Sequence, residues 1–229
     1  SSNNRFGHSS TLYNNKIFIF GGKIRTVTGS ISVGLEIFNL QDKSYILQGP
    51  DCEPPHPRRG HIAQLIGNSI FYHGGLSDNG EVLNDCFYLN LNNFRWFHCI
   101  IYRTTFAPKL YGHTCCLVLP KEYTDKKIDM YYLPEIDATN SKIKEKGLFV
   151  FGGKSKEEGG LSNKMWILLL GIKPLRWITP ETKGKPPSPR YYHSMNHFVK
   201  GNFLIVHGGR NDTISENSAL DDTYAFDLE

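Results

Sequence analysis

The chain has 229 residues, 39% of them apolar and 13% aromatic, enough for a substantial core in a globular β protein. Its formal net charge of +4 comes without a long basic run, which argues against nucleic-acid binding, and no apolar stretch approaches the roughly 20 residues that span a membrane. The five cysteines, Cys52, Cys86, Cys99, Cys115 and Cys116, have no CxxC spacing, so a metal site is not expected. Buried free thiols point to a reducing compartment, the cytoplasm or the nucleus. The opening SSNNRFGH has no charged segment followed by an apolar one, and no signal peptide is expected in it.

In chain order, RFGHSSTLYNNKIFIFGG (5–22) sets a pattern: an Arg-x-Gly-His start, an apolar run and a Gly-Gly stop. LEIFNLQDKSY (35–45) follows with alternating apolar residues and Tyr45 near its end. RRGHIAQLIGNSIFYHGG (58–75) repeats the first segment, and LNDCFYLNLNNFRW (83–96) repeats the alternation with Phe87, Leu89 and Leu91 before Trp96. Period-two alternation predicts strands with one buried face. The third copy opens as LYGHTCCLVLP (110–120) and resumes as KGLFVFGG, ending at Gly153, with LSNKMWILLLGIKPLRW (161–177) after it. Between its halves lies a charged, Pro-broken stretch, 120–147, which predicts a surface excursion with Tyr131, Tyr132 and Leu133 as exposed apolar residues. The fourth copy is RYYHSMNHFVKGNFLIVHGG (190–209), followed by LDDTYAFDLE (220–229). From Gly21 to Gly74, Gly152 and Gly208 the intervals are 53, 78 and 56 residues. Apart from the excursion these fit the roughly 50-residue period of a propeller repeat.

The four Gly-Gly-ended units, with Trp96 and Trp177 closing two of them, resemble the kelch repeat, and the connector WITPETKGKPPSPR (177–190) is similar to those of intracellular kelch propellers. The resemblance implies an all-β kelch-type propeller of four recognisable blades, each of four antiparallel strands, over a single domain or fragment of one, 1–229. Blade limits fall near 5–47, 58–99, 109–179 and 190–229. His8, His61, His113 and His193 share one motif position, and Gly21, Gly22, Gly74, Gly75, Gly152, Gly153, Gly208 and Gly209 another. With Asp85, Asp222, Trp96 and Trp177 they are expected to serve the architecture. Gly-Gly supplies positive φ and close approach where a side chain would collide. Three positions depart from the pattern: Leu110 for Arg, Tyr192 for Gly, and Lys164 where Asp is expected. Four blades are fewer than is common in the family, and the last lacks a Trp strand. An incomplete propeller is expected, with an open edge able to pair with another chain.

For function the resemblance implies a non-catalytic scaffold or recognition domain for another protein, with no cofactor and no metal. Arg5, Arg58, Lys109 and Arg190 mark the blade entries, and Lys23, Arg25, Lys154 and Arg210 open the loops beside them. Together they predict a basic rim suited to an acidic or phosphorylated segment. The alternatives weighed are solvated loop charges offset by neighbouring carboxylates, and a regulatory kelch domain of a larger enzyme such as a Ser/Thr phosphatase. In the latter, catalysis lies outside these residues, because no phosphatase metal motif occurs here. Some kelch-like propellers are copper oxidases with a Tyr and Cys cross-link, but no such placement is discernible.

Overall fold

The computed structural model describes residues 5–24, 34–48, 54–103, 105–119, 147–156, 159–170, 174–213 and 218–228. Arg25, Cys52 and the excursion over 120–147, except Gly147, lie outside them. Among the described residues there is no helix. The strands described form four antiparallel sheets of the propeller-blade type and three two-stranded ribbons, each within one blade. The chain divides into two compact units, Ser1–Cys99 with Lys109–Tyr111 and Ile100–Pro108 with Gly112–Glu229.

In the first unit, β1 (Arg5–Phe6), β2 (Ser9–Tyr13), β3 (Lys16–Phe20), β4 (Lys23–Ile24), β5 (Leu35–Asn39) and β6 (Ser44–Gln48) make a sheet of order β2-β3-β5-β6 and a ribbon β1-β4. Asn14 and Asn15, at φ 44° and 58°, close the two-residue turn between β2 and β3. Asn tolerates this left-handed backbone, whose twist matches the strands it joins. The same order recurs in β7 (Arg58–Arg59), β8 (Ile62–Ile66), β9 (Ser69–His73), β10 (Leu76–Ser77), β11 (Cys86–Asn90) and β12 (Arg95–His98), with a sheet β8-β9-β11-β12 and a ribbon β7-β10. One face of each sheet is apolar at alternate positions, and the two faces close on each other. Phe18, Phe20, Leu35 and Ile37 meet Ile70, Tyr72, Leu89, Leu91 and Trp96. Phe20 is central, its ring 5.2 Å from Tyr72 edge-on and 5.0 Å from Trp96. Tyr45 does not play the part of Trp96 in the first sheet: it is 65% exposed and leans on Phe38 instead.

The second unit holds β13 (Thr114–Val118), β14 (Gly147–Phe151), β15 (Lys154–Ser155), β16 (Gly160–Leu161), β17 (Met165–Leu169) and β18 (Arg176–Ile178). These give a sheet β13-β14-β17-β18 and a ribbon β15-β16. Its other sheet, β19 (Ser194–Phe198), β20 (Phe203–His207) and β21 (Thr223–Asp227), has three strands. Every residue of β14 and β17 is buried, so these strands read as continuous apolar runs rather than alternating ones.

Where two sheets meet inside a unit, the Gly-Gly pair is the point of closest approach. All eight glycines have φ between 67° and 102°. A Cβ on Gly21 would stand 2.5 Å from the Arg58 carbonyl and 2.8 Å from the His61 ring; one on Gly152 would stand 2.7 Å from both the Arg190 carbonyl and the His193 ring. The following glycine donates its N–H to the same carbonyl, Gly22 to Arg58 at 3.0 Å and Gly153 to Arg190 at 2.7 Å. Gly152→Ala therefore meets both backbone strain and collision, and its expected cost is at least about 2 kcal/mol in urea unfolding. Gly184 has φ +85° but nothing within 4 Å of its Cβ site, so Gly184→Ala bears only the backbone cost of about 1 kcal/mol. Equal losses for the two variants would remove close packing as the reason for the pair.

Candidate interaction surface

Burial decides which of the basic residues can meet a partner. Arg58 and Arg190 are 1% and 0% exposed, so the expectation that they stand on an open rim is corrected. Arg190 spends all five donors inside the blade. It reaches Asp222 at 2.6 and 2.9 Å, the Gly208 carbonyl at 3.0 Å, and the Ser188 carbonyl and hydroxyl at 3.1 Å each. Arg58 repeats four of these five bonds, to both oxygens of Asp85, the Gly74 carbonyl at 3.1 Å and the His56 carbonyl at 2.9 Å. A buried guanidinium is tolerable only when its charge and all its protons are matched, and the planar fork fits a carboxylate with two parallel bonds. An aromatic ring lies alongside each, Phe87 at 5.6 Å and Tyr224 at 5.4 Å. Arg190 also holds the Asp222 carboxyl below its ordinary range by donating to it.

The departures from the repeat follow from this pair. Arg5 in the first blade uses Glu36 at 2.7 Å. The third blade has Leu110 and Lys164 at the two positions, so both ends of the ion pair are replaced together, and Leu110 is fully buried. Tyr192 occupies the glycine position before the motif histidine and keeps its left-handed backbone, φ 54° against 72°, 62° and 66° for Gly7, Gly60 and Gly112. Its N–H donates to the Gly112 carbonyl at 2.7 Å, as Gly60 does to Gly7 at 2.8 Å.

The histidines lie in the same seams. His61 Nε2 is 2.8 Å from the Ser9 hydroxyl and His193 Nε2 is 2.7 Å from that of Thr114. Each ring also sits edge-on to a phenylalanine, Phe20 or Phe151, at 5.4 Å. Burial, helped by the nearby Arg58 or Arg190, pushes His61 down to about 3 and His193 to about 4. His8 shifts the same way, chiefly by burial. His113 is buried too. Neutral, buried imidazoles are packing elements, not acid–base catalysts near neutral pH.

What remains for a partner is the rung formed by the residue after the motif Arg and the residue after Gly-Gly. Phe6 pairs with Lys23, Arg59 with Leu76, and Tyr191 with Arg210. In the second unit this rung gathers charge. Lys154 Nζ lies 4.3 Å above the Tyr191 ring and donates to Asp212 at 2.7 Å. The Tyr191 hydroxyl donates to the same oxygen at 2.7 Å, and Arg210 stands 3.7 Å from the other. These bonds, with the nearby cations, hold the Asp212 carboxyl below its ordinary range. Two cations thus meet one carboxylate beside exposed Tyr192. Of the other basic positions, Arg5 is matched by Glu36, and Lys23 and Lys109 are half-buried. Tyr191 was not singled out from the sequence. The signal was available, because its place one residue after the motif Arg makes it the register partner of the residue after Gly-Gly.

A family model, the KLHDC2/KLHL20/DRC7 Kelch-repeats domain, matches residues 2–124 and 136–229. The chain belongs to the kelch-repeat family. This kelch chain is 26% identical over 212 residues to Host cell factor 2 of Homo sapiens, covering 85% of the chain and 23% of that protein. It is 26% identical over 208 residues to Host cell factor of Drosophila melanogaster, 85% of the chain and 12% of that protein. It is 24% identical over 223 residues to Acyl-CoA-binding domain-containing protein 5 of Arabidopsis thaliana, 91% of the chain and 30% of that protein. The chain thus spans less than a third of the length of these relatives. The family is one of typically non-catalytic, protein-binding propellers. Among the described residues of this kelch chain, no group of three or more His, Cys, Asp or Glu is placed to hold a metal ion.

The buried histidines fix an acid response. An unfolded histidine takes its proton near pH 6.5, but His193 and His61 resist until about 4 and about 3. Their contribution is therefore whole above pH 6.5 and is lost as pH falls below it. Each should lower stability by about 1.4 kcal/mol per pH unit through that window. Urea midpoints taken from pH 7 to pH 4.5 should decline, and His61→Gln with His193→Gln should flatten the decline. An unchanged slope in that double variant would remove the histidines as its source.

Proposed function

We propose that this kelch chain is a non-catalytic interaction module that holds another protein by an acidic or phosphorylated segment laid across Lys154, Tyr191 and Arg210. The observation that carries this reading is the meeting of Lys154 and Arg210 at Asp212 beside the Tyr191 ring, which sets two cationic donors on an aromatic platform. A carboxylate or phosphate arriving there competes with Asp212 for the same cationic donors. Tyr191 and Tyr192, their rings 4.8 Å apart, supply a flat wall for the backbone beside it. The buried Arg190 contributes by fixing the strands from which this patch projects.

The test is a calorimetric screen of acidic and phosphorylated peptides against the wild-type chain and against Lys154→Ala with Arg210→Ala. With charge-assisted contacts of roughly 1–2 kcal/mol each, the double variant should bind at least tenfold more weakly. Wild-type affinity should fall as salt rises, since these half-exposed charges are screened beyond about 8–10 Å. Peptides that bind both proteins equally would show that recognition lies elsewhere.

A further inference from the structure

Arg5 is the motif arginine of the first blade, but its surroundings are not those of Arg58 and Arg190. The pairs Phe20↔Leu35, His73↔Cys86 and His207↔Thr223 put Leu35 level with Cys86 and Thr223 on the third strand of each sheet. One residue earlier, where the second and fourth blades carry Asp85 and Asp222, the first carries Gly34. One residue later, where Phe87 and Tyr224 lay a ring alongside the guanidinium, it carries Glu36. Glu36 accepts from Arg5 Nη2 at 2.7 Å and holds the guanidinium at the blade entry. The carboxylate has thus moved to the ring's position, and the usual carboxylate position bears no side chain.

Two observations mark the difference. The Arg5 side chain is 10% exposed, and its Nη1 is buried with no hydrogen-bond partner. In the other two blades this is the nitrogen that donates to an Asp Oδ1 and to the first Gly-Gly carbonyl, at 2.6 and 3.0 Å for Arg190. Buried guanidinium protons without an acceptor are costly. The second mark is space: a Cβ on Gly34 would meet nothing within 4 Å, and the Gly34 backbone lies outside the left-handed region. The position opens to water, since the matching Asp85 and Asp222 side chains are 23% and 38% exposed. The neighbouring sequence offers no substitute, because neither 1–4 nor 25–33 contains Asp or Glu.

We propose that the space beside Gly34 binds a small free carboxylate, which meets Arg5 Nη1 as Asp85 and Asp222 meet the arginines of their own blades. The atoms that separate Gly34 from an aspartate are a Cβ and a carboxyl group, which are the heavy atoms of acetate. A planar carboxylate there accepts the buried protons and ties β1 to the start of β5. Lys23, on the rung next to Arg5, brings a second cation to the same ribbon, so Glu36 and the ligand do not share a single positive charge. The site lies in the first unit and is separate from the Lys154 and Arg210 patch; either can fail without the other.

The test is a titration of the wild-type chain with acetate at fixed ionic strength, with chloride as reference, followed at the Arg5 Nε–H resonance and assigned by its loss in Arg5→Lys. The resonance should shift as one saturable site, and the thermal midpoint should rise as the site fills. Gly34→Asp supplies the carboxylate from within the chain; it should raise the midpoint in chloride and weaken acetate binding at least about tenfold. Gly34→Ala fills only the methyl's part of the space and should move the preference from acetate toward formate. Aspartate blocked at both ends, which carries the carboxylate as a partner's residue would, should bind more weakly than acetate. Lys154→Ala with Arg210→Ala should leave the shift at Arg5 unchanged. Equal acetate responses in wild type and Gly34→Asp, a response that chloride reproduces, or an unchanged acetate-to-formate preference in Gly34→Ala overturns the proposal. So does tighter binding of the blocked aspartate, because a partner's side chain would then be the occupant.

Discussion

A guanidinium sealed inside a β-sheet is the constraint on which the rest of the second and fourth blades depends. Arg58 and Arg190 are buried with a carboxylate, a Gly-Gly carbonyl and connector carbonyls around them. None of these can move without stranding a charge. Because the Arg side chain binds the start of its own third strand while its main-chain carbonyl accepts from the preceding blade's glycine, one residue ties two sheets together. The glycines follow from that carbonyl, since nothing larger than hydrogen fits against it. The histidine three residues later follows as well, filling the space above the first glycine and meeting a hydroxyl on the neighbouring blade.

Using the arginines in this way moves recognition one residue along. The side chain after each motif Arg and the one after each Gly-Gly form a rung in a short ribbon. At Tyr191 and Arg210 this rung, joined by Lys154, presents an aromatic face flanked by two cations. The motif residues hold the scaffold, and the residues next to them vary from blade to blade: Phe6, Arg59 and Tyr191 on one side, Lys23, Leu76 and Arg210 on the other. A protein-binding propeller can thus change its surface without touching the contacts that keep its blades together.

Strand order and the family were legible because both rest on local signals: period-two apolar runs, Gly-Gly stops and closing Trp residues. The fate of the arginines was not, because an Arg at a blade entry looks the same in sequence whether it faces water or a carboxylate 27 or 32 residues ahead. Leu110 and Lys164 looked like unrelated lapses for the same reason; only pairing across the blade makes them one change. Tyr45 shows the limit in the other direction. It lies near the place of a Trp in the repeat, yet its ring turns to Phe38 and to solvent, while Trp96 from the neighbouring sheet fills the core beside Phe20.

The buried ion pair can be tested by copying into the second blade what the third blade already carries. Arg58→Leu alone leaves Asp85 without its main partner and should cost roughly 3 kcal/mol in urea unfolding, and Asp85→Lys alone should cost a similar amount by placing two cations together. The double variant, which recreates the Leu110 and Lys164 arrangement, should be more stable than the sum of the single losses by at least about 1 kcal/mol. Strictly additive losses would mean that Arg58 and Asp85 act independently and that the pair does not hold the blade.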